Sequence, residues 1–474
     1  MTSTELNLYN TKIYDNIHGF IDVSNYAVTV IDTPIFHRLR YLHQLGTCYY
    51  VFPSAGQNRF EHSLGTYYLT GRLLECIKKK SDYKHINQCL SKIPELNNYF
   101  KNKNTEKDHF LDDYICELIK IAGLCHDIGH GPFSHVFDNI FIKHITKNTS
   151  IKLNPSYIEH EGRSCALFEK IVKTTLLDKF IPNDHIKFIQ NLINPNNDHK
   201  SFVYQIISNS LNSIDVDKCD YIARDTYYVG LKYGFDFTTV IDDIVVIDDI
   251  ICYPENMYYE ISCLFSTRYR LHKQIYNHKT VVASQSMICD IMIHMDDIIG
   301  ISSSINNLDK FIMLTDSYIL ESINLIEHTN TSAQKSANLL FSKSLHNRLI
   351  TREFYHIIGT ITSKNDINFS LEIIKKLDPE IDISNVVLYQ TKIGFVSGDK
   401  ENPLDSVYFY NKKNYFKGNN QRFTIKKERV SAVLSDTYQE YITMLFYKNY
   451  QNDDQNERLN TIYNYMLSIA IELE

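Results

Sequence analysis

Apolar residues recur at three- and four-residue intervals along roughly the first 330 positions of the chain. This spacing places them on one face of an α-helix and predicts a predominantly helical structure. Four segments carry the pattern most clearly: Ser63–Lys79, Asp113–Cys125, Cys165–Leu177 and Val282–Ile293. Stretches rich in turn-forming residues interrupt the pattern and predict surface loops. They are Phe52–Asn58, Lys101–Lys107 and Asn194–Lys200.

The pattern changes after about residue 365, where runs of β-branched and aromatic residues are separated by Gly, Pro, Asn and Asp. These runs predict strands at Val386–Phe395, Ser406–Tyr410 and Arg422–Lys426. Tyr438–Tyr447 is predicted to form a following helix. We therefore expect a mostly α fold, with a helical core over residues 1–330 and a smaller α/β lobe over residues 331–474.

Composition narrows the class of protein. The 474 residues are 43% hydrophobic and 22% charged, which is typical of a folded globular protein, and 12% aromatic residues exclude a mainly disordered chain. The net charge of −7 argues against a general nucleic-acid coat but leaves room for a local basic pocket that binds a small polyanion.

The cysteines and the hydropathy pattern bear on the compartment. The 10 cysteines form no Cys-x-x-Cys pair, which indicates reduced thiols. The N-terminal residues lack the pattern of a signal peptide, and no apolar run approaches the roughly 18 residues of a membrane span. The protein is therefore expected to be intracellular, in the cytoplasm or the nucleus, with no membrane partner.

The strongest chemical signal is the segment AGLCHDIGHGPFSH, which ends at His135. His126 and Asp127 are adjacent in it, at the end of a predicted helix that the following glycines stop. His130 follows His126 by four residues, which predicts that both lie on one helical face. Imidazole and carboxylate groups together suit Fe, Mn, Zn or Ni.

Two further ligands can be nominated from other segments. His62 lies in NRFEHSLG, and Asp217 lies in IDVDKCDYIARD. A histidine such as His62 would in isolation be interpreted as a packed core residue. The combination H…HD…D, formed by His62, His126, Asp127 and Asp217, instead predicts one transition-metal site, because ligand type, order and helical setting agree.

With these motifs the sequence resembles the HD-domain phosphohydrolases, specifically the deoxynucleoside triphosphate triphosphohydrolases related to the SAM- and HD-domain dNTPase. The resemblance runs from about residue 10 to about residue 445, and its early start leads us to expect no SAM domain. The matching segments are Asp15–Gly19, Ile31–Leu45, Tyr49–Pro53, Asn58–Gly65, Ile121–His135, Ile214–Asp225, Thr267–Lys279 and Glu401–Tyr410.

The resemblance implies an HD-domain catalytic core, a regulatory and oligomerisation lobe, and hydrolysis of dNTP to deoxynucleoside and inorganic triphosphate. It also implies one transition metal at the H…HD…D site and Mg²⁺ on the substrate phosphates. The family's metal ligands correspond to His62, His126, Asp127 and Asp217. Catalytic positions near the α-phosphate correspond to His135, Asp138 and His160.

The resemblance further implies a substrate site. Residues that contact the triphosphate correspond to Arg59, His130, Lys218 and Arg268. Gln44 and Asp225 correspond to residues that read the 3′-hydroxyl, Leu45 and Tyr276 to residues that close the 2′ edge, and Tyr221 to an aromatic that packs on substrate. Asn277 stands where a Gln lies near the base in the relative, so base preference is expected to differ.

Regulation is also implied by the resemblance, through nucleotides that bind at subunit interfaces of a homodimer or homotetramer. The positions that read GTP or dGTP correspond to Asp32, His37 and Arg40, with Arg352 on the facing subunit. Lys279 and Lys427 match a second pocket for dNTP. Thr239, Pro254, Asn256 and Glu260 replace three cations and an amide there. Each lost charged contact removes roughly 1.5–3 kcal/mol, so weak dNTP co-activation is expected.

Two other functions stay open from the sequence. One is an HD-domain phosphodiesterase or 5′-nucleotidase that acts on other nucleotides, which the cation set disfavours because shorter phosphates need fewer cations. The other is a non-catalytic binder of nucleotides or single-stranded nucleic acid, which the full metal-ligand set disfavours. Nucleic acid is therefore not expected as the main partner.

Overall fold

The computed structural model describes residues 11–149, 151–232, 237–326, 333–394, 402–426, 429, 438–449 and 451–473. Helices dominate this part of the chain. They are α1 Asn25–Ile31, α2 Pro34–His37, α3 Arg59–Lys80, α4 Tyr83–Leu90, α5 Asn97–Phe100, α6 Asp113–Cys125, α7 Ile142–Asn148, α8 His160–Thr174, α9 Asn183–Ile193, α10 Val216–Tyr228, α11 Phe237–Ile241, α12 Tyr258–Leu271, α13 Lys279–Ile299, α14 Ile301–Ile305, α15 Leu308–Phe311, α16 Asp316–Leu325, α17 Ala333–Ile350, α18 Leu371–Leu377, α19 Lys412–Tyr415 and α20 Asp453–Glu472.

Strands form three small sheets in the described residues. They are β1 Thr11–Asp15, β2 Gly19–Val23, β3 Val245–Ile247, β4 Ile250–Pro254, β5 His356–Ser363, β6 Val386–Gly394, β7 Tyr408–Tyr410, β8 Arg422–Phe423 and β9 Gln439–Tyr447. β1 and β2 make an antiparallel hairpin, and β5-β9-β6 is wholly antiparallel. The sheet β3-β4-β7-β8 contains one parallel pair, β4 with β7.

Three capped helices form the scaffold of the core. Asn58 begins α3 by accepting hydrogen bonds from the backbone N–H groups of Phe60 and Glu61, and Asp112 and Asp215 cap α6 and α10 in the same way. α3 packs against both α6 and α10. At Gly123 a Cβ would lie 2.7 Å from the Thr70 hydroxyl, so this glycine allows the close approach of α6 to α3.

The predicted fold class is confirmed: the protein is mostly helical, with a helical core and C-terminal strands in small sheets. The four segments with helical periodicity lie on α3, α6, α8 and α13, although α8 already ends at Thr174. The three turn-rich stretches form no regular helix or strand. Among the described residues, every helix is too short or too polar to cross a lipid bilayer.

The predicted helix at Tyr438–Tyr447 is wrong. Residues Gln439–Tyr447 form β9, the central strand of its sheet, which hydrogen-bonds to β5 on one side and β6 on the other. Its β-branched and aromatic residues fit a pleated surface buried from both sides, and such a short apolar run does not distinguish a strand from a buried helix. The predicted strand Val386–Phe395 is found as β6, and Phe395 lies outside the described residues.

No strand was predicted before residue 365, yet five of the described strands lie there. β3 and β4 are too short for a visible two-residue period; β3 pairs with β4, and β4 pairs with β7 from the far end of the chain. One sheet thus draws on both sides of residue 330. The division into 1–330 and 331–474 stays a prediction.

Candidate metal and nucleotide site

The core helices bring the four nominated metal ligands together. His62 lies on α3, His126 and Asp127 follow the last residue of α6, and Asp217 lies in the first turn of α10. Nε2 of His62 is 3.1 Å from Oδ1 of Asp217 and 3.5 Å from Oδ2 of Asp127. Nε2 of His126 is 3.4 Å from Oδ1 of Asp217 and also 3.4 Å from Oδ1 of Asp127.

The two histidines present the same ring nitrogen to this centre. Nδ1 of His62 lies 2.7 Å from Asp220, and Nδ1 of His126 lies 2.8 Å from the carbonyl oxygen of Gly123, so each Nδ1–H donates outward. Both Nε2 atoms are buried and have no hydrogen-bond partner in the described structure. Ligand atoms of His62, His126 and Asp217 all lie within 4.8 Å of one another, which fits a divalent ion with mixed N and O ligands.

Electrostatics around these residues also fit a cation. Burial opposes protonation of His62, but Asp217 and Asp220 outweigh it and raise the pKa of this imidazole to about 10. Burial acts against ionisation of Asp217, yet His126 and His62 hold the pKa of its carboxyl well below the usual range. The carboxylates therefore attract positive charge, and a bound ion takes the place of the imidazole protons.

His130 does not share a helical face with His126, as the four-residue spacing predicted. α6 ends at Cys125, and the chain turns before His130 because the glycine-rich sequence cannot continue the helix. His130 still reaches the site, since its Nε2 lies 3.3 Å from Asp127 and its Nδ1 lies 2.8 Å from Asp138.

The three predicted catalytic residues surround His130. The His160 ring stacks on the His130 ring with centroids 3.8 Å apart, and the His135 ring lies 5.2 Å from it. Asp138 lies in a π-helical turn, Phe137–Phe141, and is held by Arg163 as well as by His130. Burial and the neighbouring His130 lower the pKa of His135 to about 4 and that of His160 well below its ordinary value, so both rings are neutral near pH 7.

Two of the predicted phosphate-binding cations, Arg59 and Lys218, lie beside this centre, and Arg268 donates to the Gly394 carbonyl oxygen on β6 over 2.8 Å. Arg59 donates to Asp127 and, over 2.8 Å, to the Ser134 hydroxyl, while its Nη2 is buried with no hydrogen-bond partner in the described structure. Lys218 pairs with Asp215 at 2.9 Å. Burial raises the pKa of Tyr221, and the charges of Arg268 and Lys218 oppose this shift.

The predicted sugar-reading residues form a second buried group. Asp225 accepts hydrogen bonds from Tyr276 at 2.5 Å and from Gln57 at 3.0 Å. Gln44 bonds to the Gln57 carbonyl through its backbone N–H, and its side-chain oxygen is buried without a hydrogen-bond partner among the described residues. Burial raises the pKa of Asp225 to about 6.

Leu45 and Asn277 complete this predicted pocket. The half-buried Leu45 packs against the core, as does Tyr276, which ends the π-helical turn His272–Tyr276. Asn277 accepts a hydrogen bond of 2.8 Å from the Tyr389 hydroxyl on β6, so the C-terminal sheet contacts the pocket residue that was predicted to lie near the base.

The predicted regulatory positions are mostly exposed. Asp32 is exposed at the end of α1, and the Arg40 guanidinium lies over the Phe60 ring at 3.5 Å, with its Nε 3.4 Å from His37. Arg352 donates to the Tyr50 carbonyl over 2.8 Å. Lys279 is exposed at the start of α13, and Lys427 lies outside the described residues.

Several residues at the site were not predicted from the sequence. Gln57 orients Asp225, Arg163 holds Asp138, and Asp220 bonds to His62. Asp316 accepts from the Phe133 N–H at 2.6 Å and from both the backbone and ring of His43. Only Asp220 carried a usable signal, because it follows Asp217 by three residues on the same helix and therefore lies on the same face.

Comparisons with known proteins show the family to which the chain is similar. A model of the HD domain matches residues 59–225. An HD domain-containing protein of Acanthamoeba polyphaga mimivirus is 38% identical over 413 residues, 84% of each chain. The deoxynucleoside triphosphate triphosphohydrolase SAMHD1 homolog of Dictyostelium discoideum is 34% identical over 450 residues, 94% of this chain and 78% of that protein. Human SAMHD1, also named a deoxynucleoside triphosphate triphosphohydrolase, is 31% identical over 483 residues, 92% of this chain and 70% of that protein.

Proposed function

This chain belongs to the HD-domain family, among the relatives of the SAMHD1 enzymes, and we propose that it hydrolyses dNTP to a deoxynucleoside and inorganic triphosphate. The HD domain implies a divalent metal, and His62, His126 and Asp217 are the buried candidate for its site. The observation that carries the proposal is the position of this ligand set beside the cations Arg59 and Lys218.

His62, His126, Asp127 and Asp217 would hold the metal. A divalent ion in that place supplies Lewis-acid charge beside a phosphate and lowers the pKa of water. The chain shields two of these ligands from solvent, because His62 is fully buried and Asp127 is nearly so. The hydrogen bonds that His62 donates to Asp220 and that His126 donates to the Gly123 carbonyl oxygen fix the two imidazoles before any substrate arrives.

The cations and the neutral histidines have different roles: the cations stabilise charge on the triphosphate, and the histidines transfer a proton. Arg59, Lys218 and Arg268 offset the charge that develops on the phosphate oxygens. Water oxygen bonds to the α-phosphorus, the bond from this phosphorus to the 5′-oxygen breaks, and the proton from water ends on the 5′-oxygen. His135 and His160 are neutral near pH 7, so either ring can move this proton at one of its nitrogens.

The buried group around Asp225 supports selection for deoxyribose. The Asp225 carboxylate and the Gln44 side-chain oxygen are acceptors for a 3′-hydroxyl. Leu45 and Tyr276 offer a crowded surface on the 2′ side, and a ribose hydroxyl there would lose its hydrogen bonds to water. We therefore expect ATP to be a poor substrate.

Regulation is part of the proposal. Guanine nucleotide, as GTP or dGTP, would bind near Asp32, His37 and Arg40, with Arg352 from a second subunit of a homodimer or homotetramer. Mg²⁺ would accompany the phosphates. Lys279 and Lys427 remain from the second nucleotide pocket, but Pro254, Asn256 and Glu260 offer no positive charge to a triphosphate.

One assay tests the function. Metal-loaded protein is incubated with each dNTP and with ATP, in the presence and absence of GTP, and the products are separated by ion-exchange chromatography. Deoxynucleoside with intact triphosphate is the expected result. Release of orthophosphate alone, or turnover of a monophosphate or cyclic nucleotide in preference to dNTP, would instead support the phosphodiesterase or nucleotidase alternative. Binding without any product would support the non-catalytic one.

A further inference from the structure

The turn Asp15–Gly19 between β1 and β2 matches a family segment but has no part in the chemistry described above. Asp15 shapes this turn, because its Oδ1 accepts the backbone N–H groups of Ile17 and His18, each at 2.9 Å. The turn points His18 inward, where its side chain is 6% exposed and its ring packs on Tyr68 of α3 with centroids 5.0 Å apart.

Asp220 on α10 lies between this turn and the metal site. Its Oδ1 lies 2.6 Å from Nε2 of His18 and 3.0 Å from Nη2 of Arg224. Its Oδ2 lies 2.7 Å from Nδ1 of His62 and 2.9 Å from Nε of Arg224. Four donors thus surround a carboxylate whose side chain is fully buried, so it cannot rotate without losing several charged hydrogen bonds.

Two further features hold this arrangement. Arg224 extends to the turn through a 2.9 Å hydrogen bond from its Nη1 to Asp15, so hairpin and helix share one network. Gly65, one turn after His62 on α3, makes the room: a Cβ there would lie 1.8 Å from Oδ1 of Asp220. A glycine at this place lets the Asp220 carboxylate approach α3 closely enough to reach His62.

We propose that the Asp15–Gly19 turn positions the metal ligand His62 through Asp220, with His18 and Asp220 as positioning residues. With Nδ1–H fixed on Asp220, His62 must present the lone pair of Nε2 toward Asp217 and Asp127. A histidine ligand held this way by a carboxylate is fixed in tautomer and orientation, and loss of the holding group lowers metal affinity.

The test measures metal binding, not hydrolysis. Full-length apoprotein is prepared with a chelator, and its affinity for Mn²⁺ is measured by titration calorimetry for wild type, Asp220→Asn and His18→Gln. Asp220→Asn is expected to weaken Mn²⁺ binding about 10- to 100-fold, and His18→Gln by a smaller factor of roughly 3 to 10. Asp22→Asn, an exposed position on β2 of the same hairpin, is the matched control and should bind like wild type.

Visible absorption of the Co²⁺-loaded proteins gives a second readout, since it reports the ligand geometry. Asp220→Asn and His18→Gln are expected to change it, and Asp22→Asn to leave it unchanged. If Asp220→Asn does not fold, His18→Gln decides, because it leaves both Arg224 bonds to Asp220 in place. Variants that melt earlier than wild type but bind Mn²⁺ within twofold of it and keep its Co²⁺ spectrum would overturn the inference.

The inference rests on the metal centre of the proposed function but not on the reaction. A wild-type protein that binds Mn²⁺ and hydrolyses no dNTP would refute the proposed function and leave this inference standing. An active wild-type protein whose His18 and Asp220 variants bind metal normally would refute this inference and leave the proposed function standing.

Discussion

Asp225 is a buried carboxylate that receives hydrogen bonds from two neutral groups, Tyr276 and Gln57. Burial disfavours its charge more than these bonds favour it, so the pKa is raised to about 6. The folded protein therefore binds this proton more tightly than the unfolded chain does. Its contribution to stability is complete below the unfolded pKa near 3.8 and is lost as pH rises through about 6.

This residue yields a pH-dependent prediction for Asp225→Asn. Between pH 4 and pH 7 the wild type should lose about 2 kcal/mol that the variant keeps, since one pKa unit corresponds to about 1.4 kcal/mol and the unfolded carboxyl is already partly ionised at pH 4. The free energy of unfolding is measured by urea denaturation across this range for both proteins. A stability difference that does not change with pH would contradict the raised pKa. The variant should also turn over dNTP more slowly, because it offers a weaker acceptor to the 3′-hydroxyl.

The adjacent His126 and Asp127 give a second prediction at this scale. Replacing both with Ala removes one nitrogen and one carboxylate from the metal site, so bound metal and activity should fall together, by about a hundredfold or more. Metal content is measured by mass spectrometry and folding by circular dichroism. His109→Gln, an exposed histidine that stacks on Tyr83, is the control. Full turnover by the double variant would refute the assignment of these ligands.

At the scale of elements, the turn after α6 depends on a helix distant in sequence. Phe133 and Ser134 both adopt left-handed backbone, with φ of 57° and 55°, which costs roughly 1–2 kcal/mol for each non-glycine residue. Asp316 is the first residue of α16. Its carboxylate accepts hydrogen bonds from the Phe133 N–H, from the backbone N–H of His43 and from Nδ1 of the His43 ring. The helix thereby holds the turn that presents Ser134 to Arg59 and carries His135.

We expect Asp316→Asn to lower kcat about tenfold or more, equivalent to 1.4 kcal/mol in the barrier, while metal affinity stays near that of wild type. The amide of Asn brings N–H donors where the carboxylate accepted three hydrogen bonds, so the strained turn relaxes. Steady-state kinetics and Mn²⁺ titration check this. Asp309→Asn, an exposed acid on α15 paired with Lys170, serves as the comparison. Loss of metal together with kcat would place the effect at the metal site instead.

Elements also show where sequence reasoning fails. α3 and α6 were predicted from the sequence, since the helical periodicity of their apolar residues is a local signal. β9 was misassigned as a helix, and β3 and β4 were missed. β9 pairs with β5 and β6, and β4 pairs with β7, all of which lie far away in sequence, and a local sequence pattern does not indicate such pairing.

At the scale of the whole molecule, the hypothesis of nucleotide regulation depends on residues at the surface. Asp32, Arg40 and Arg352 are all exposed. A nucleotide promotes assembly only through its higher affinity for the assembled state, so each cation lost from an interface pocket reduces its effect. Pro254, Asn256 and Glu260 lie at the end of β4 and the start of α12, where a triphosphate would meet no new cation from these three side chains.

We therefore expect a homodimer or homotetramer whose activity depends little on dNTP as co-activator. Analytical ultracentrifugation is run without nucleotide, with GTP, and with GTP plus a non-hydrolysable dNTP, and activity is measured under matched conditions. Assembly without nucleotide or with GTP alone is the expected result. Assembly and activity that appear only in the third mixture would show that the second pocket still works.

The sequence by itself determined the fold class and the helices with clear periodicity, and it nominated the residues of the candidate site. Helical periodicity is local, and the residue types His and Asp in one order indicate a metal site. Residue type and order are read directly from the sequence, which is how the four candidate ligands were found: His62, His126, Asp127 and Asp217.

Only the tertiary structure decided which groups hold that chemistry in place. Asp220 on His62, Asp316 on the turn at Phe133, and Gln57 on Asp225 are contacts between segments that lie far apart along the chain. Each depends on the distance and direction between packed helices, to about an ångström, and sequence spacing carries no such information. The same reason explains β9, since a strand becomes stable only when both neighbours are in place to accept its hydrogen bonds.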